Sequence, residues 1–368
     1  MDWIIEQTGL CTECQACMDV CPTYKLTGKD LFSPVQRLKT AVKVFEEEIV
    51  TEEMLESIYN CPKCMCCENI CPEKINITKI VHKTRCELVR RGLAPSEKHN
   101  KVINGILASG NSVNGDPLKR LEWLPEEFPK HTSDTLLYLG CLPSYLVKDA
   151  ASATYLVLKK LGLDFMILED EGCCGTYLYE SGRIDLAGDF FQKNVERFAS
   201  LGIRKIIVPC NGCLKCFKYF YPDLLGGTGF SVCHVTEIIY DLLKQNPGAL
   251  KKVRGKITYQ DSCRLARGRD GQGGIEEPRR ILRLCGAEIV EMEKNGKDAV
   301  CCGAGGGIRS VYPDLSLNIA TKLLNTIKTE SIASACPFCV FNLGYTSRKK
   351  KLGKNISYFT KIVLDALQ

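Results

Sequence analysis

The chain has 368 residues, of which 45% are apolar and 25% are charged, so its composition is that of a globular protein with a substantial core. Apolar stretches such as 135–147 are shorter than the about eighteen residues that a membrane span requires, and the N-terminus lacks the basic and apolar regions of a secretory signal. The formal net charge of +6 counts cysteines as neutral, and it is therefore no indication of nucleic-acid binding.

Cysteine is the unusual component of the sequence. There are 23 cysteines in a chain that is too long to need disulfide bonds for its stability. Because no export signal is present, we expect a cytoplasmic location, where thiols stay reduced. Thiolates bind soft metal centres such as zinc, copper(I) and iron–sulfur clusters. The grouping of the cysteines therefore indicates the function.

Two cysteine quartets lie in the first part of the chain, and each is followed by a proline. Both have the spacing C-x2-C-x2-C-x3-C-P of bacterial two-cluster ferredoxins, in which the fourth cysteine binds the other cluster. Zinc sites usually take cysteines in separated pairs, and the quartets fit zinc poorly. By the crossing rule, one cubane [4Fe–4S] cluster has the ligands Cys11, Cys14, Cys17 and Cys71, and the second has Cys61, Cys64, Cys67 and Cys21.

The 39 residues between the quartets predict helices rather than strands. Ser33 is a typical N-cap with Pro34 after it, residues 35–50 have helical periodicity, and Thr51 is suited to cap a second helix. With these features, residues 1–95 resemble the α-helical ferredoxin domain of fumarate reductase-type iron–sulfur subunits and of the C subunit of heterodisulfide reductase.

After a connecting segment, 96–132, the same arrangement of cysteines occurs twice. A single cysteine is followed by a Cys-Cys-Gly triplet and then by a C-x2-C pair, and equivalent cysteines lie 122 to 128 residues apart. The duplicated units are 133–255 and 256–368. In each unit apolar strands alternate with helix-like segments, so we predict two α/β units with parallel sheets, in which the cysteines follow strand ends. The predicted strands are 135–139, 165–168, 205–208, 257–259 and one near Ile289, and the predicted helices are 145–161, one from Glu277, and 315–324.

The cysteine spacing of each unit resembles that of the cysteine-rich CCG domain, which defines the B subunit of heterodisulfide reductase. One difference is that 33 residues precede the C-x2-C pair of the second unit, where the first unit has 35. The resemblance implies that five cysteines of each unit bind an unusual noncubane [4Fe–4S] cluster. The implied ligands are Cys141, Cys173, Cys174, Cys210 and Cys213 in the first unit, and Cys263, Cys301, Cys302, Cys336 and Cys339 in the second.

The order of the domains resembles that of the D subunit of heterodisulfide reductase, in which a ferredoxin domain like the C subunit precedes a pair of CCG domains like the B subunit. The resemblance implies an oxidoreductase of methanogenesis that reduces the mixed disulfide of coenzyme M and coenzyme B to two thiols. Electrons would pass through the two cubanes to the two noncubane clusters. The implied partner is a membrane cytochrome b, or a flavoprotein or iron–sulfur electron-input subunit, which would hold the chain peripherally at the inner face of the membrane. We expect this chain to bind no flavin, nucleotide or nucleic acid.

The disulfide substrate of such an enzyme carries sulfonate, carboxylate and phosphate groups, and guanidinium groups suit these oxyanions. Arg264, Arg267 and Arg269 come directly after Cys263, and Lys215 has a similar place in the first unit. We expect Arg264, Arg267 and Lys215 to bind the substrate in a cleft between the two repeated units. The alternative is that these charges lie on solvated loops.

Two other functions remain open. The iron–sulfur electron-relay subunit of a flavin-dependent glycolate, lactate or anaerobic glycerol-3-phosphate dehydrogenase has the same layout and binds no disulfide. A zinc-rich binding module is the third possibility, which the two quartets disfavour. The layout of the cysteines separates the third function from the first two, but it does not separate the first two from each other.

Overall fold

The computed structural model describes residues 2–46, 49–246, 250–252, 255–268 and 274–367. The N-terminal region is helical and two α/β units follow it, as the sequence predicts. Within the described residues, no helix is both long enough and apolar enough to cross a lipid bilayer. The first seven helices are α1 (Asp2–Gly9), α2 (Pro22–Thr27), α3 (Pro34–Phe45), α4 (Glu52–Tyr59), α5 (Cys66–Ile70), α6 (Ile77–Arg90) and α7 (Glu97–Ser109).

The two predicted helix caps between the quartets are confirmed. The Ser33 hydroxyl accepts a hydrogen bond from the backbone N–H of Gln36, and the Thr51 hydroxyl accepts one from Met54. Helix α3 ends at Phe45, before the predicted end at 50. The reason lies in the acidic run that follows it, since negative side chains are unfavourable at the negative end of the helix dipole.

The first α/β unit contains a three-stranded parallel sheet in the order β1-β2-β3. The segment 165–168, predicted as a strand, contributes only an isolated bridge between Met166 and Leu136. The strands are β1 (Thr135–Leu137), β2 (Lys205–Val208) and β3 (Ser231–His234). The helices are α8 (Cys141–Tyr145), α9 (Lys148–Lys160), α10 (Thr176–Ser181), α11 (Ile184–Ser200), α12 (Asn211–Lys215), a π-helical turn (Cys216–Phe220), α13 (Tyr221–Leu225) and α14 (Val235–Gln245).

The second unit repeats this topology. Its four parallel strands have the order β5-β4-β6-β7, so that β4, β6 and β7 correspond to β1, β2 and β3. The strands are β4 (Gly255–Gln260), β5 (Ala287–Ile289), β6 (Ser331–Ser334) and β7 (Asn355–Tyr358). The helices are α15 (Cys263–Ala266), α16 (Glu276–Leu284), α17 (Ile308–Val311), α18 (Pro313–Leu324), α19 (Pro337–Lys350) and α20 (Phe359–Ala366). The predicted duplication is therefore a duplication of structure.

The two units share one apolar core. Val157 on α9, Ile239 on α14, Ile281 on α16 and Val363 on α20 all belong to it and are fully buried. Because burial of apolar surface is the main stabilising contribution in folding, this core fixes the two sheets relative to each other.

The side chain of Arg85, on α6, joins the helical domain to both units. Its fully buried guanidinium donates hydrogen bonds to the carbonyl oxygens of Ile58 and Cys61, at 3.0 and 3.1 Å. It also donates to the carbonyl oxygen of Glu180 in the first unit and to that of Gly306 in the second, both at 3.0 Å. One side chain thus connects all three parts of the molecule.

The glycine run after the second Cys-Cys pair lies directly on the second cysteine quartet. A Cβ atom at Gly306 would overlap the carbonyl oxygen of Cys61, and one at Gly305 would lie 2.7 Å from that of Pro62. Real Cβ atoms do not approach backbone oxygens so closely, so only glycine allows this contact. Gly305 and Gly306 therefore form a packing surface for the ferredoxin loop.

We expect Arg85→Lys to lower the free energy of unfolding by about 3 kcal/mol, because a lysine cannot reach carbonyl groups in three directions and leaves buried acceptors unpaired. Denaturant unfolding of the anaerobic, cluster-loaded protein measures this change. Arg90→Lys is the matched control on the same helix, since Arg90 is exposed and pairs with Glu87, and its effect should stay below about 0.5 kcal/mol. Equal effects of the two substitutions would contradict the connecting role of Arg85.

Candidate functional site

The first predicted cubane set comes together around a small cavity in the helical domain. Three thiols of the first quartet line it, and the fourth lining thiol is Cys71, the last cysteine of the other quartet. Leu38 and Ile75 close its apolar side. Cys14 is exposed, so this cavity lies at the surface of the molecule. The set consists of Cys11, Cys14, Cys17 and Cys71.

The second predicted cubane set is buried. Burial raises the pKa of Cys67, and Cys64, Cys61 and Cys21 lie close enough to raise it further. Beneath these thiols the buried guanidinium of Arg37 lies 3.6 Å from the sulfur of Cys21. A buried cation beside four thiols compensates negative charge on the sulfur atoms.

The two quartets share an unusual backbone conformation. Glu13 and Gln15, which flank the second cysteine of the first quartet, have φ angles of 52° and 64°. Lys63 and Met65, in the equivalent positions of the second quartet, have φ angles of 53° and 62°. Left-handed conformations cost non-glycine residues roughly 1 kcal/mol each, and such strain is found at functional sites. The two loops therefore wrap their thiols in the same way.

The thiols of the two α/β units form two chains of sulfur contacts. The order of the contacts is the same in both units, and in the second unit the sulfur atoms of Cys302 and Cys339 are 3.2 Å apart. In the first unit the order is Cys141, Cys173, Cys174, Cys213 and Cys210. In the second unit the order is Cys263, Cys301, Cys302, Cys339 and Cys336.

The five thiols of each unit are suitable ligands for an iron–sulfur cluster. All ten are free thiols, and nine of them are buried. The hydrogen bond to Cys173 and burial raise the pKa of Cys141, because a second negative charge close by is unfavourable without a cation. A metal centre supplies that positive charge and deprotonates its thiol ligands. Within the described ranges, no three cysteine, histidine or acidic side chains converge as the ligands of a single metal ion do.

Both chains of thiols face one cavity of about 800 Å³ between the two units. All ten cysteines line it. Phe338 and Phe341 of α19 form part of its wall, and Val102, Gly105 and Ala108 of α7 form another part. Helix α7 lies in the predicted connecting segment 96–132, and its place over the cavity was not predicted. The cavity is large enough for a small-molecule ligand.

An ion pair lies in the wall of this cavity. Arg264 donates to a carboxylate oxygen of Glu180 at 2.5 Å, and the ammonium of Lys63 lies 3.8 Å from the other oxygen. Although burial opposes it, the Arg264 guanidinium holds the pKa of Glu180 well below its usual range. Arg264 therefore faces the cavity, as expected for a substrate-binding residue, but its charge is already balanced by a carboxylate.

The other two predicted substrate-binding residues do not line the cavity. Arg267 donates from Nε to the carbonyl oxygen of Cys64 at 2.8 Å and from Nη1 to that of Ala299 at 2.9 Å. Lys215 is buried, with its ammonium 5.5 Å from the ring centre of Phe220. Both side chains are buried, and the substrate-binding role of Arg267 and Lys215 stays a prediction. Arg269 lies outside the described residues.

The second quartet touches the thiols of the second unit. Cys64 and Cys301 share a hydrogen bond, and Cys66 lies 3.5 Å from Cys64, sulfur to sulfur. Arg267 lies beside this contact and ties the two loops together. The spacing of the cysteines gave no indication of which unit the ferredoxin loop would contact.

Two further lining side chains were missed by the sequence analysis. His99 of α7 has its Nδ1 atom 2.9 Å from the hydroxyl of Tyr177, and burial lowers the pKa of His99 to about 3. Arg309 of α17 lies a short distance beyond the glycine run. No motif indicates His99, whereas the position of Arg309 after the Cys-Cys-Gly triplet was a signal that could have identified it.

Comparisons with known proteins agree with these sites. The family model of the 4Fe-4S dicluster domain matches residues 7–75, and that of the cysteine-rich CCG domain matches residues 135–218 and 257–344. The B subunit of fumarate reductase (CoM/CoB) from Methanothermobacter marburgensis is 29% identical over 93% of this chain and 69% of its own length. EtfAB:quinone oxidoreductase of Syntrophomonas wolfei is 30% identical over 90% of this chain and 54% of its own length.

The D subunit of dihydromethanophenazine:CoB–CoM heterodisulfide reductase from Methanosarcina mazei matches over nearly the whole of both chains. It is 31% identical over 97% of this chain and 93% of its own length. In this chain the match to the 4Fe-4S dicluster domain precedes the two matches to the CCG domain, which is the domain order expected for a D subunit. The chain is therefore an iron–sulfur oxidoreductase subunit and belongs to the family of heterodisulfide reductase D subunits.

Proposed function

We propose that this chain reduces a disulfide to two thiols, and that its substrate is the mixed disulfide of coenzyme M and coenzyme B. The observation that carries the proposal is the cavity of about 800 Å³ that all ten cysteines of the two units line. We further propose that these ten cysteines hold two noncubane [4Fe–4S] clusters and that the two quartets hold two cubanes. The paired chains of thiols and the shared conformation of the quartet loops support this assignment.

Reduction of a disulfide consumes two electrons and two protons, breaks one sulfur–sulfur bond and yields two thiols. When bound, iron–sulfur clusters supply electrons one at a time. We propose that the cavity holds the sulfur–sulfur bond between the two sets of thiols, because cleavage needs the reacting atoms in near-attack geometry. Val102, Ala108 and Phe338 line the space with apolar atoms and limit the access of water.

The two quartets differ in exposure, and this difference suggests where electrons enter. Cys14 is exposed, so we propose that the redox partner docks beside the first quartet. The second quartet is buried and contacts the second unit through Cys64 and Cys301. A membrane cytochrome b and a flavoprotein or iron–sulfur subunit remain the candidate partners, and the first of these would place the chain at the membrane surface.

The alternative function is electron relay between a flavoprotein and a quinone. The similarity to EtfAB:quinone oxidoreductase favours it, since that protein matches 90% of this chain. A relay, however, needs no space beyond its redox centres, whereas this cavity extends beyond the ten thiols to walls formed by Val102, Ala108 and Phe341. The cavity therefore favours disulfide reduction.

A dye-linked assay tests the proposed function. Under anaerobic conditions, the loaded chain, purified together with its native partner subunits, should oxidise reduced benzyl viologen when the mixed disulfide of coenzyme M and coenzyme B is added. Glycolate, lactate and glycerol-3-phosphate should not reduce the oxidised dye. Oxidation of one of these compounds without disulfide reduction would establish the relay function instead.

Metal analysis tests the proposed ligands. Four [4Fe–4S] clusters correspond to about sixteen irons per chain and an equal amount of acid-labile sulfide. An iron content near half of this value, with normal cubane spectra, would reject the two noncubane sites. Zinc in place of iron would reject the whole assignment.

The ligand roles are also separable by substitution. Cys174→Ser should reduce disulfide reduction to background, whereas electron uptake by the ferredoxin domain should persist. Cys14→Ser should slow electron entry and leave the two noncubane centres in place. Cys86→Ser is the matched control, because Cys86 is half-buried on α6 and outside both predicted sets. If the Cys174→Ser variant reduced the disulfide at the wild-type rate, the thiol of Cys174 would not be needed for the reaction.

A further inference from the structure

We infer that Arg309 binds an anionic group of the substrate, so that the cavity selects disulfides that carry a negative charge close to the sulfur atoms. This inference rests on the proposed disulfide reduction and adds the residue that recognises an anionic group of the disulfide.

Arg309 is held rigidly in the cavity wall. Its guanidinium carbon lies 4.8 Å from the ring centre of Tyr345 and 5.5 Å from that of Phe341. Guanidinium groups stack on aromatic faces, and contact with two neighbouring rings restricts the orientation of the donors. The side chain lines the cavity and is only partly exposed. Its donors are therefore oriented before a ligand arrives.

The hydrogen-bonding capacity of Arg309 is not satisfied by the protein. Its Nε atom is buried and has no hydrogen-bond partner among the described residues. A buried donor without an acceptor is unfavourable, and such a group is expected to find its partner in a bound molecule.

The charge of Arg309 is likewise not balanced. Among the described residues that line the cavity, Glu180 is the one carboxylate, and it pairs with Arg264 and Lys63. The ammonium of Lys101, the other lining cation, lies 3.4 Å from Glu97 and is largely exposed. Arg309 is thus the lining cation without an acidic partner in the described part of the chain, and it attracts an anion into the cavity.

The position of Arg309 also indicates where the anionic group lies relative to the disulfide. Phe341 and Tyr345 follow Cys339 on the same helix, α19. Arg309, Phe341 and Cys339 all line the cavity, so an anion at the guanidinium shares the cavity with the thiols of the second unit. Metal-bound thiols are negative, so an anion avoids them and binds at Arg309 while the disulfide reaches the thiols. A sulfonate, phosphate or carboxylate on a short alkyl arm satisfies both requirements, because a guanidinium binds such oxyanions with two parallel hydrogen bonds.

Two disulfides that differ only in charge test the inference. Bis(2-sulfonatoethyl) disulfide and bis(2-hydroxyethyl) disulfide have the same core and the same arms, and only the first is anionic. Binding of each to the oxidised, fully loaded protein is measured by titration calorimetry. The wild-type protein should prefer the sulfonated compound. Arg309→Met, which keeps an unbranched side chain against the two rings, should weaken its binding by about 10- to 100-fold and leave the hydroxyl compound unaffected. Arg309→Lys should have an intermediate effect.

The matched control is Lys349→Met, since the Lys349 ammonium lies 5.9 Å from the same Tyr345 ring but does not line the cavity. It should bind both compounds as the wild type does. Cluster spectra and unfolding temperatures establish that each variant is folded. If the Arg309→Met variant does not fold, the Arg309→Lys variant is used for the comparison instead.

The outcomes separate this inference from the proposed function. If the wild type binds the sulfonated compound and Arg309→Met binds it equally well, the inference is wrong and disulfide binding stands. Equal weakening of both compounds, or equal weakening by Lys349→Met, also overturns it, because the effect is then not one of charge at Arg309. If the wild type binds neither disulfide, the inference is wrong, and the dye-linked assay with the mixed disulfide decides the proposed function separately.

Discussion

The buried guanidinium of Arg85 is the interaction on which the arrangement of the whole molecule depends. Its hydrogen bonds reach backbone carbonyls of the ferredoxin loop, of the first unit at Glu180 and of the second unit at Gly306. Backbone acceptors do not vary with the side chain, so the contact fixes the main chain itself at three places. Cys61 belongs to the second quartet, and Gly306 belongs to the glycine run after Cys302. The side chain of Arg85 therefore sets the distance between the thiols of the second quartet and the thiols of the second unit.

Several buried cations surround the thiols. Arg37 lies at Cys21, Lys63 and Arg264 lie at Glu180, and Arg267 lies between the loops of Cys64 and Ala299. Burial of so much positive charge with a single carboxylate is unfavourable in a structure of neutral thiols. Thiolate ligands of metal clusters provide the missing negative charge. The positions of the cations are therefore explained by the centres that the cysteines are proposed to hold.

Sequence patterns predicted those parts of the structure that depend on local spacing. The quartet crossing that unites Cys71 with the first quartet, the caps at Ser33 and Thr51, and the duplicated parallel sheets all follow from residue type and interval. The ten cysteines of the two units come together around one cleft because a duplication places equivalent strand ends opposite each other.

The features that the sequence did not predict depend on contacts between distant segments. Arg267 and Lys215 follow cysteines closely and were expected in the cavity, but the loop at Cys64 and the ring of Phe220 take up their charged groups. Helix α7 covers the cavity only because the whole ferredoxin domain is docked there. His99 becomes part of the site with that helix, whereas Arg309 is placed there by the rings of Phe341 and Tyr345 in its own unit. Spacing along a chain contains no information about which surface of one domain another domain will cover.

The contact between Cys64 and Cys301 breaks the equivalence of the two repeated units. Gene duplication produces two modules with the same five thiols, yet the ferredoxin loop touches the thiols of only one of them in the described structure. A change in the loop of Cys301 would therefore disturb the ferredoxin contact, whereas the described residues show no such contact at the corresponding cysteine, Cys173. Two repeated units that share a single ferredoxin domain are thus inequivalent in their connection to it.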